Sequence, residues 1–338
     1  MAKHYHVYAV GTAFVDIEMD VIDDDLKKIA ISKGLMTYVN EERQEQLLYC
    51  LRHHLVHSNR TSSGSTTNTI IAIAQFGGQT FYSCQVGNDD NGRFYLKDLQ
   101  TADVNYHIEN HKDEGITGTY LVMVTPDAER THCRFLGVNE IQSEYDIVPE
   151  VIAASDYVYF EAYMITSLST FAAVIRLCEI AELNNVKIAM NFSDSDIIMT
   201  FHDRLFEILK KPIDLLFCNR NEAISWCQTD RIKIVINKLK RIARTFVITR
   251  GAEGALVYDG TQLHNIAPHK IDVIDNRGAG DMFAGAFLFG ITHGQDYLTA
   301  GNLASLAAAT VVSNYGSRLS AEKQKQLLVQ SNHLQQKT

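Results

Sequence analysis

Six short apolar runs limit how this chain can fold: Val7–Val10, Thr80–Cys84, Asp156–Phe160, Lys187–Asn191, Asp214–Cys218 and Thr245–Thr249. Several are separated by longer helical stretches, Glu41–Leu55, Thr67–Phe76, Ser167–Leu183 and Arg231–Ala243. Strands alternating with helices predict an α/β fold: a doubly wound, mostly parallel, Rossmann-like sheet with helices on both faces. Ligands in such sheets gather at the carboxyl ends of the strands.

Two strand pairs break the rhythm, Phe14–Val21 with Leu35–Val39, and Gly118–Thr125 with Thr131–Leu136. Neither pair is read with a helix between its members, and Pro126-Asp127-Ala128-Glu129 supplies a turn in the second. Their alternation predicts a small accessory sheet, one face wet and one covered, built from about residues 12–40 and 115–137. Such a sheet could close over a substrate as a lid and exclude water. With no internal repeat or long linker, residues 1–338 read as a single domain.

The balance of 31 basic against 40 acidic residues, a net charge of −9, argues against nucleic acid or an anionic membrane as partner. The opening residues read as a first strand rather than a signal peptide, and no apolar run approaches the roughly 20 residues of a membrane span. A cytoplasmic protein is expected. The six cysteines show no CxxC pair or cluster and read as reduced thiols. His53 and His57 stand four apart on an expected helix, but no HExxH pattern or third ligand accompanies them. A solvated helix face is the reading.

The run Asp275-Asn276-Arg277-Gly278-Ala279-Gly280-Asp281, followed by the small-residue helix Met282–Thr292, says most about chemistry. Its glycines let the backbone turn sharply and present N–H groups at a helix start, where an anion is favoured. A carboxylate beside that anion site suits a base accepting a proton from an attacking hydroxyl. An ordinary Asp cap on a Gly-rich turn would account for the same residues. Phe283 spoils a GxGxxG dinucleotide fingerprint, which disfavours a nicotinamide dehydrogenase, and no GxxxxGK[ST] loop occurs.

Three further segments invite a ligand, and each has a plain structural alternative. Ser63–Thr69 is a small-residue loop leading into the helix Ile70–Phe76, where Asn68 could meet hydroxyls or a Ser/Thr-rich turn could simply cap a helix. Asp16, after the turn Gly11-Thr12-Ala13, could accept two sugar hydroxyls or sit solvated in a loop. Asn219 and Glu222 offer hard oxygens suited to Mg²⁺ held mostly through water and phosphate, or they form a helix cap. Thr249, Gly251 and Gly254 end another strand where a nucleotide could lie, or form a simple turn.

In this order the segments resemble the ribokinase-like (PfkB) family of carbohydrate and nucleoside kinases, from about Tyr5 to Arg318. Ser63–Thr69 looks like the family's N-terminal glycine-rich signature, Asp275–Phe287 like its C-terminal signature, and Asn219–Glu222 like its NxxE motif. Gly11–Glu18 and Gly115–Gly137 look like the adenosine-kinase-like branch. The resemblance implies a β-sheet lid, ATP and Mg²⁺, Asp281 as general base, and an anion hole at Gly278, Ala279, Gly280 and Asp281. Asp16, Gly64, Ser65 and Asn68 would hold the acceptor's hydroxyls, and Arg130 in the lid would contact substrate or phosphate. Asn219 and Glu222 would organise Mg²⁺ and phosphates, while Thr249, Gly251 and Gly254 would line the nucleotide. Some members use a monovalent cation as well. A nucleoside, a ribose- or fructose-type sugar, and a binding relative without turnover all stay open, as do monomer and homodimer. Ser63 replaces a glycine, Asn276 replaces the usual Thr, and Arg277, an unusual neighbour, is expected to point to solvent.

Overall fold

The computed structural model describes residues 5–107, 111–112 and 115–335. Nine strands form the main sheet, in the order Leu263–Ile266, Ala255–Tyr258, Ala243–Thr249, Ile213–Asn219, Lys187–Asn191, Ser155–Glu161, Tyr5–Val10, Thr80–Ser83 and Asn105–Tyr106. All neighbours run parallel except the last two pairings at the Leu263–Ile266 edge, which are antiparallel. The central strands lie between two layers of helices, so residues on both of their faces are buried, as with Tyr159 and Phe160. One layer packs Phe287, Leu303 and Ile73 against the sheet, and the other packs Leu177, Ile198 and Leu239. The α/β, mostly parallel architecture matches the expectation from strand and helix alternation.

Tyr5–Val10 is flanked by Ser155–Glu161 on one side and Thr80–Ser83 on the other. The winding therefore reverses here, and the crevice beyond the carboxyl end of Tyr5–Val10 is the natural ligand position in this topology. At this point the chain also leaves the main sheet and enters a second one.

That second sheet has five strands, ordered Met36–Val39, Arg130–Phe135, Gly118–Val124, Phe14–Asp20 and Asn59–Ser63. Its pairing differs from the expected pairs in one respect. Gly118–Val124 and Arg130–Phe135 do form an antiparallel hairpin. Phe14–Asp20 and Met36–Val39, however, are not partners, and the helix Asp23–Lys28 separates them. Three aspartates in its first turn and two lysines in its last suit the helix dipole, a cue that alternation alone misses. The stretch Glu41–Leu55 likewise divides into Glu41–Cys50 and Arg52–Leu55, and Arg231–Ala243 shortens to Ile232–Leu239. Val15, Ile17, Met19, Leu121 and Met123 bury one face of the small sheet against Leu26 and Leu47. Asp16 and Glu18 alternate with them and stay half-buried on the other.

Asn139 clips the two sheets together where the chain crosses between them. Its Oδ1 accepts the Ala13 N–H at 2.8 Å, while Nδ2 donates to the carbonyls of Ala13 and Leu136 at 2.8 and 2.9 Å. The side chain is 3% exposed, so no water replaces these bonds if it is removed. None of the six cysteines is in a disulfide, and no described helix is long and apolar enough to cross a membrane. Asn139→Ala is expected to cost roughly 2–3 kcal/mol in urea unfolding, since two buried carbonyls and an amide lose their partner. A loss below about 0.5 kcal/mol, the scale of an ordinary surface substitution, would show that the clip does not matter.

Candidate active site

Two helices, Ser65–Gln75 and Ala279–Thr292, start at the crevice and pack against each other. Gly285 allows this contact: a Cβ there would lie 2.7 Å from the Ala72 Cβ and 2.8 Å from the Thr69 carbonyl oxygen. The close approach brings the first turn of one helix onto the first turn of the other. Ser65 Oγ donates to Asp281 Oδ1, Asn68 Nδ2 donates to Asp281 Oδ2 at 2.8 Å, and Thr69 Oγ1 donates to the Asp281 carbonyl at 3.3 Å. Both helices begin earlier than the sequence suggests. Ser65 and Asn68 are thus helical residues rather than loop residues, entered from the strand Asn59–Ser63 through Gly64. Gly64 has φ +125°, and a Cβ would lie 2.6 Å from the Thr12 carbonyl, so only glycine fits this turn.

Gly278 caps the second helix with φ +72°, and a Cβ there would run into the Ser317 carbonyl at 2.1 Å. The N–H groups of Ala279, Gly280 and Asp281 come before the first intrahelical bond, which Met282 makes to Gly278. In front of Gly280 nothing lies within 4 Å of a built Cβ. An open space before free helix N–H groups is where an anion is favoured.

Asp16 joins this centre through Ser63, whose Oγ donates to Asp16 Oδ1 two residues before Ser65. The hydroxyl that replaces the signature glycine thus orients the Asp16 carboxylate. Burial raises the Asp16 carboxyl, with Ser63, Arg277 and Arg318 acting in the opposite direction. Burial raises Asp281 too, against the bonds from Ser65 and Asn68. Glu161, at the carboxyl end of Ser155–Glu161, is 3% exposed and accepts from Thr66 Oγ1 at 2.8 Å. It too is raised, first by burial and then by the neighbouring Asp281 charge. No motif singled it out, but an acid ending an apolar strand of a parallel sheet is a legible signal.

On the far side of Asp281 lies a cavity of about 180 Å³, lined by Ser65, Asn191, Asn219, Glu222, Thr249 and Gly280 among others. Asn219 and Glu222 form the helix cap that was the plain alternative. Glu222 Oε2 accepts the Asn219 N–H at 2.8 Å, Oε1 accepts Asn219 Nδ2 at 2.6 Å, and Asn219 Oδ1 accepts the Glu222 N–H at 2.9 Å. Burial raises the Glu222 carboxyl to about 7, a state that a nearby cation would reverse. No cluster of three or more His, Cys, Asp or Glu suited to a metal occurs among the described residues, His53 and His57 included. The oxygens of Asn191, Asn219, Glu222 and Asp281 fit a hard cation held chiefly by water and phosphate. Thr249 lines the cavity, whereas Gly251 and Gly254 lie outside its lining.

Residues 33–324 match the family model described as pfkB family carbohydrate kinase. The chain belongs to this family. It is similar to the adenosine kinase of Saccharomyces cerevisiae, 24% identical over 93% of this chain and 96% of that one. Among solved structures, a probable sugar kinase from Rhizobium etli CFN 42 aligns with a TM-score of 0.85 at 28% identity, covering 98% of this chain and 99% of that one. Adenosine kinase from Sinorhizobium meliloti aligns at 0.84 and 28%, covering 97% and 99%. A pfkB kinase of ribokinase-like fold is therefore what the sequence encodes.

Arg277 does not point to solvent in this pfkB kinase, as expected above. Its Nε and Nη2 clasp Asp275 at 3.0 and 2.6 Å, and Nη1 lies 3.7 Å from Glu18 Oε2. Arg130 reaches the same Glu18 oxygen at 3.4 Å, so one carboxylate of the small sheet spans both arginines. Gly280→Ala separates stability from activity. With no steric obstacle and a helical backbone, alanine should gain about 0.5–1 kcal/mol in a melting experiment. The methyl would crowd the anion position, so kcat should fall by at least about tenfold. Unchanged turnover would place the anion elsewhere.

Proposed function

We propose that this kinase moves the γ-phosphoryl group of ATP to a primary hydroxyl of a nucleoside, adenosine-like, or of a sugar. The single observation behind the reading is Asp281: a half-buried carboxylate, fixed by Ser65 and Asn68, at a helix start with open space before it. Asp281 accepts the hydroxyl proton as the oxygen attacks. The free N–H groups of the Gly278–Asp281 turn hold the charge that grows on the transferring phosphoryl oxygens. Asp16 and Asn68 hold and orient the acceptor's hydroxyls, with Gly64 and Ser65 shaping the floor of the site.

The small sheet acts as a lid, and Arg130, from that sheet, meets substrate or phosphate. Thr249 and Asn219 support the nucleotide side, and Gly251 and Gly254 shape the turn that follows it. A Mg²⁺ ion bound near Glu222 through water would neutralise phosphate charge. The adenosine kinases among the relatives favour a nucleoside, and a ribokinase of Staphylococcus aureus, 26% identical over 76% of this chain and 84% of its own length, keeps a sugar in play.

Asp281→Asn removes the proton acceptor but keeps the side chain's size. Its kcat should drop on the order of 10²–10⁴-fold in an assay coupled to ADP release. A rate within a few-fold of the unaltered enzyme would sink the base assignment.

The base works only when ionised, and burial makes Asp281 ionise at higher pH than an ordinary aspartate. Activity is therefore present at neutral pH and lost on acidification. The half-point of kcat/KM should lie clearly above the ordinary value of about 3.9. A profile flat down to pH ~4.5 would contradict a raised base, since that is already within a unit of the ordinary value.

A further inference from the structure

One buried cation has no part in the chemistry above. Arg134 lies in the small sheet and is 7% exposed. Among the described residues its guanidinium makes a single hydrogen bond, from Nη1 to the Tyr38 hydroxyl at 3.4 Å, and its Nε has no partner. No carboxylate pairs with it among the described residues. It is packed instead among aromatic rings, with centroids 4.7 Å away for Phe14, 5.0 Å for Tyr120, 5.4 Å for Tyr163 and 5.7 Å for Tyr38. Ring faces attract a cation, but they leave its N–H donors unsatisfied.

The strand register shows what this cation faces. Arg134 pairs with Tyr120, and Tyr120 pairs with Asp16. Cross-strand partners project to the same side of a sheet, so Asp16, Tyr120 and Arg134 form one row on the face turned to the crevice. Two inter-strand steps separate the row's ends, roughly 10 Å at about 4.8 Å each. Tyr163, from the turn after Ser155–Glu161, closes over the Arg134 end, and the Arg134 charge acts on Glu161 from there. A molecule whose hydroxyls meet Asp16 would lie over Tyr120 and bring its far end to Arg134.

We propose that Arg134 is a specificity-determining residue of the acceptor site, taking a two-atom hydrogen-bond-accepting edge at the end of the acceptor remote from the hydroxyl that is phosphorylated. The inference rests on the acceptor position read above. A guanidinium has donors only, and it matches a carboxylate or the O6/N7 edge of a 6-oxopurine in bidentate fashion. Adenosine presents an amino donor beside N7, so within the nucleoside class proposed above it is the weaker ligand and its 6-oxo counterparts are the stronger. A neutral sugar offers no such edge.

Equilibrium binding by calorimetry tests this with guanosine, inosine, adenosine, D-gluconate and neutral D-glucitol, using the whole chain and its Arg134→Met and Arg134→Lys variants. The unaltered protein should bind either the 6-oxopurine nucleosides over adenosine or gluconate over glucitol, by roughly tenfold or more. The pair that shows the preference identifies the source of the edge. Arg134→Met should erase that preference while leaving the weaker ligand's affinity within about threefold, a change under 1 kcal/mol.

Adenosine and glucitol each binding as tightly as its counterpart overturns the proposal, as does binding by no member of the panel. So does an equal loss for every ligand in Arg134→Met, the mark of a merely structural arginine. Should Arg134→Met fail to fold, Arg134→Lys decides by the same criterion, a selective loss supporting the proposal and a uniform one overturning it. Binding is read without phosphoryl transfer. An Asp281→Asn enzyme that still turns over would therefore sink the base assignment and leave this result standing.

Discussion

The active centre depends on one close helix contact. Gly285 lets the helix Ala279–Thr292 approach Ser65–Gln75 until a methyl group would collide with Ala72 and the Thr69 carbonyl. Only at that distance do Ser65 and Asn68 reach the Asp281 carboxylate, and only then do two helix starts face the same space. Both helices belong to the core that covers the main sheet, so rigid packing rather than a loop sets the position of the carboxylate. The small residues beside it, Ala284 and Ala286, are buried in the core.

Around that contact the site gathers more buried acid than buried base. Asp16, Glu161, Glu222 and Asp281 are all raised by burial, meaning that their charged forms are held at a cost. Such a concentration of perturbed carboxyls in a crevice belongs to function more than to folding. The cations nearby are committed in different ways. Arg277 is clasped by Asp275, Arg318 by Asp98 and Ser62, and Arg134 by aromatic rings and the Tyr38 hydroxyl. The two sides of Asp281 thus differ in kind: helix N–H groups and capped oxygens on one, a row of aromatic and charged side chains on the other.

The main sheet was legible because short apolar runs alternate with longer helical stretches along the chain. The turn at Gly278 and Gly280 was equally plain, since its glycines and the carboxylate after them are adjacent in sequence. What could not be read was tertiary. Met36–Val39 beside Arg130–Phe135 is a parallel pairing of segments about ninety residues apart, and no local pattern announces it. Arg134 looked like one polar residue in an alternating strand until its neighbours Tyr38, Tyr120 and Tyr163 came together in space. Arg277 was expected at the solvent because backbone amides were read as the anion's donors, and its partner Asp275 sits only two residues away, a distance at which side chains in a strand or helix rarely meet. Ser63 looked like a blemish in a signature, and its hydroxyl proves to hold Asp16.

The second sheet is stitched from five strands drawn from three separated parts of the chain, near residues 14–39, 59–63 and 118–135. Every one of its pairings except the hairpin closes a long loop, whereas the main sheet grows largely by neighbouring βα units from Ser155 onward. Loop-closure entropy sets the order of events in such a chain. The half that would hold phosphate, on the proposed reading, can assemble largely from local contacts as the C-terminal units dock. On the proposed reading, the half that would choose the acceptor exists only after the most distant segments have met, so selectivity would be the last property acquired on folding and the first surrendered.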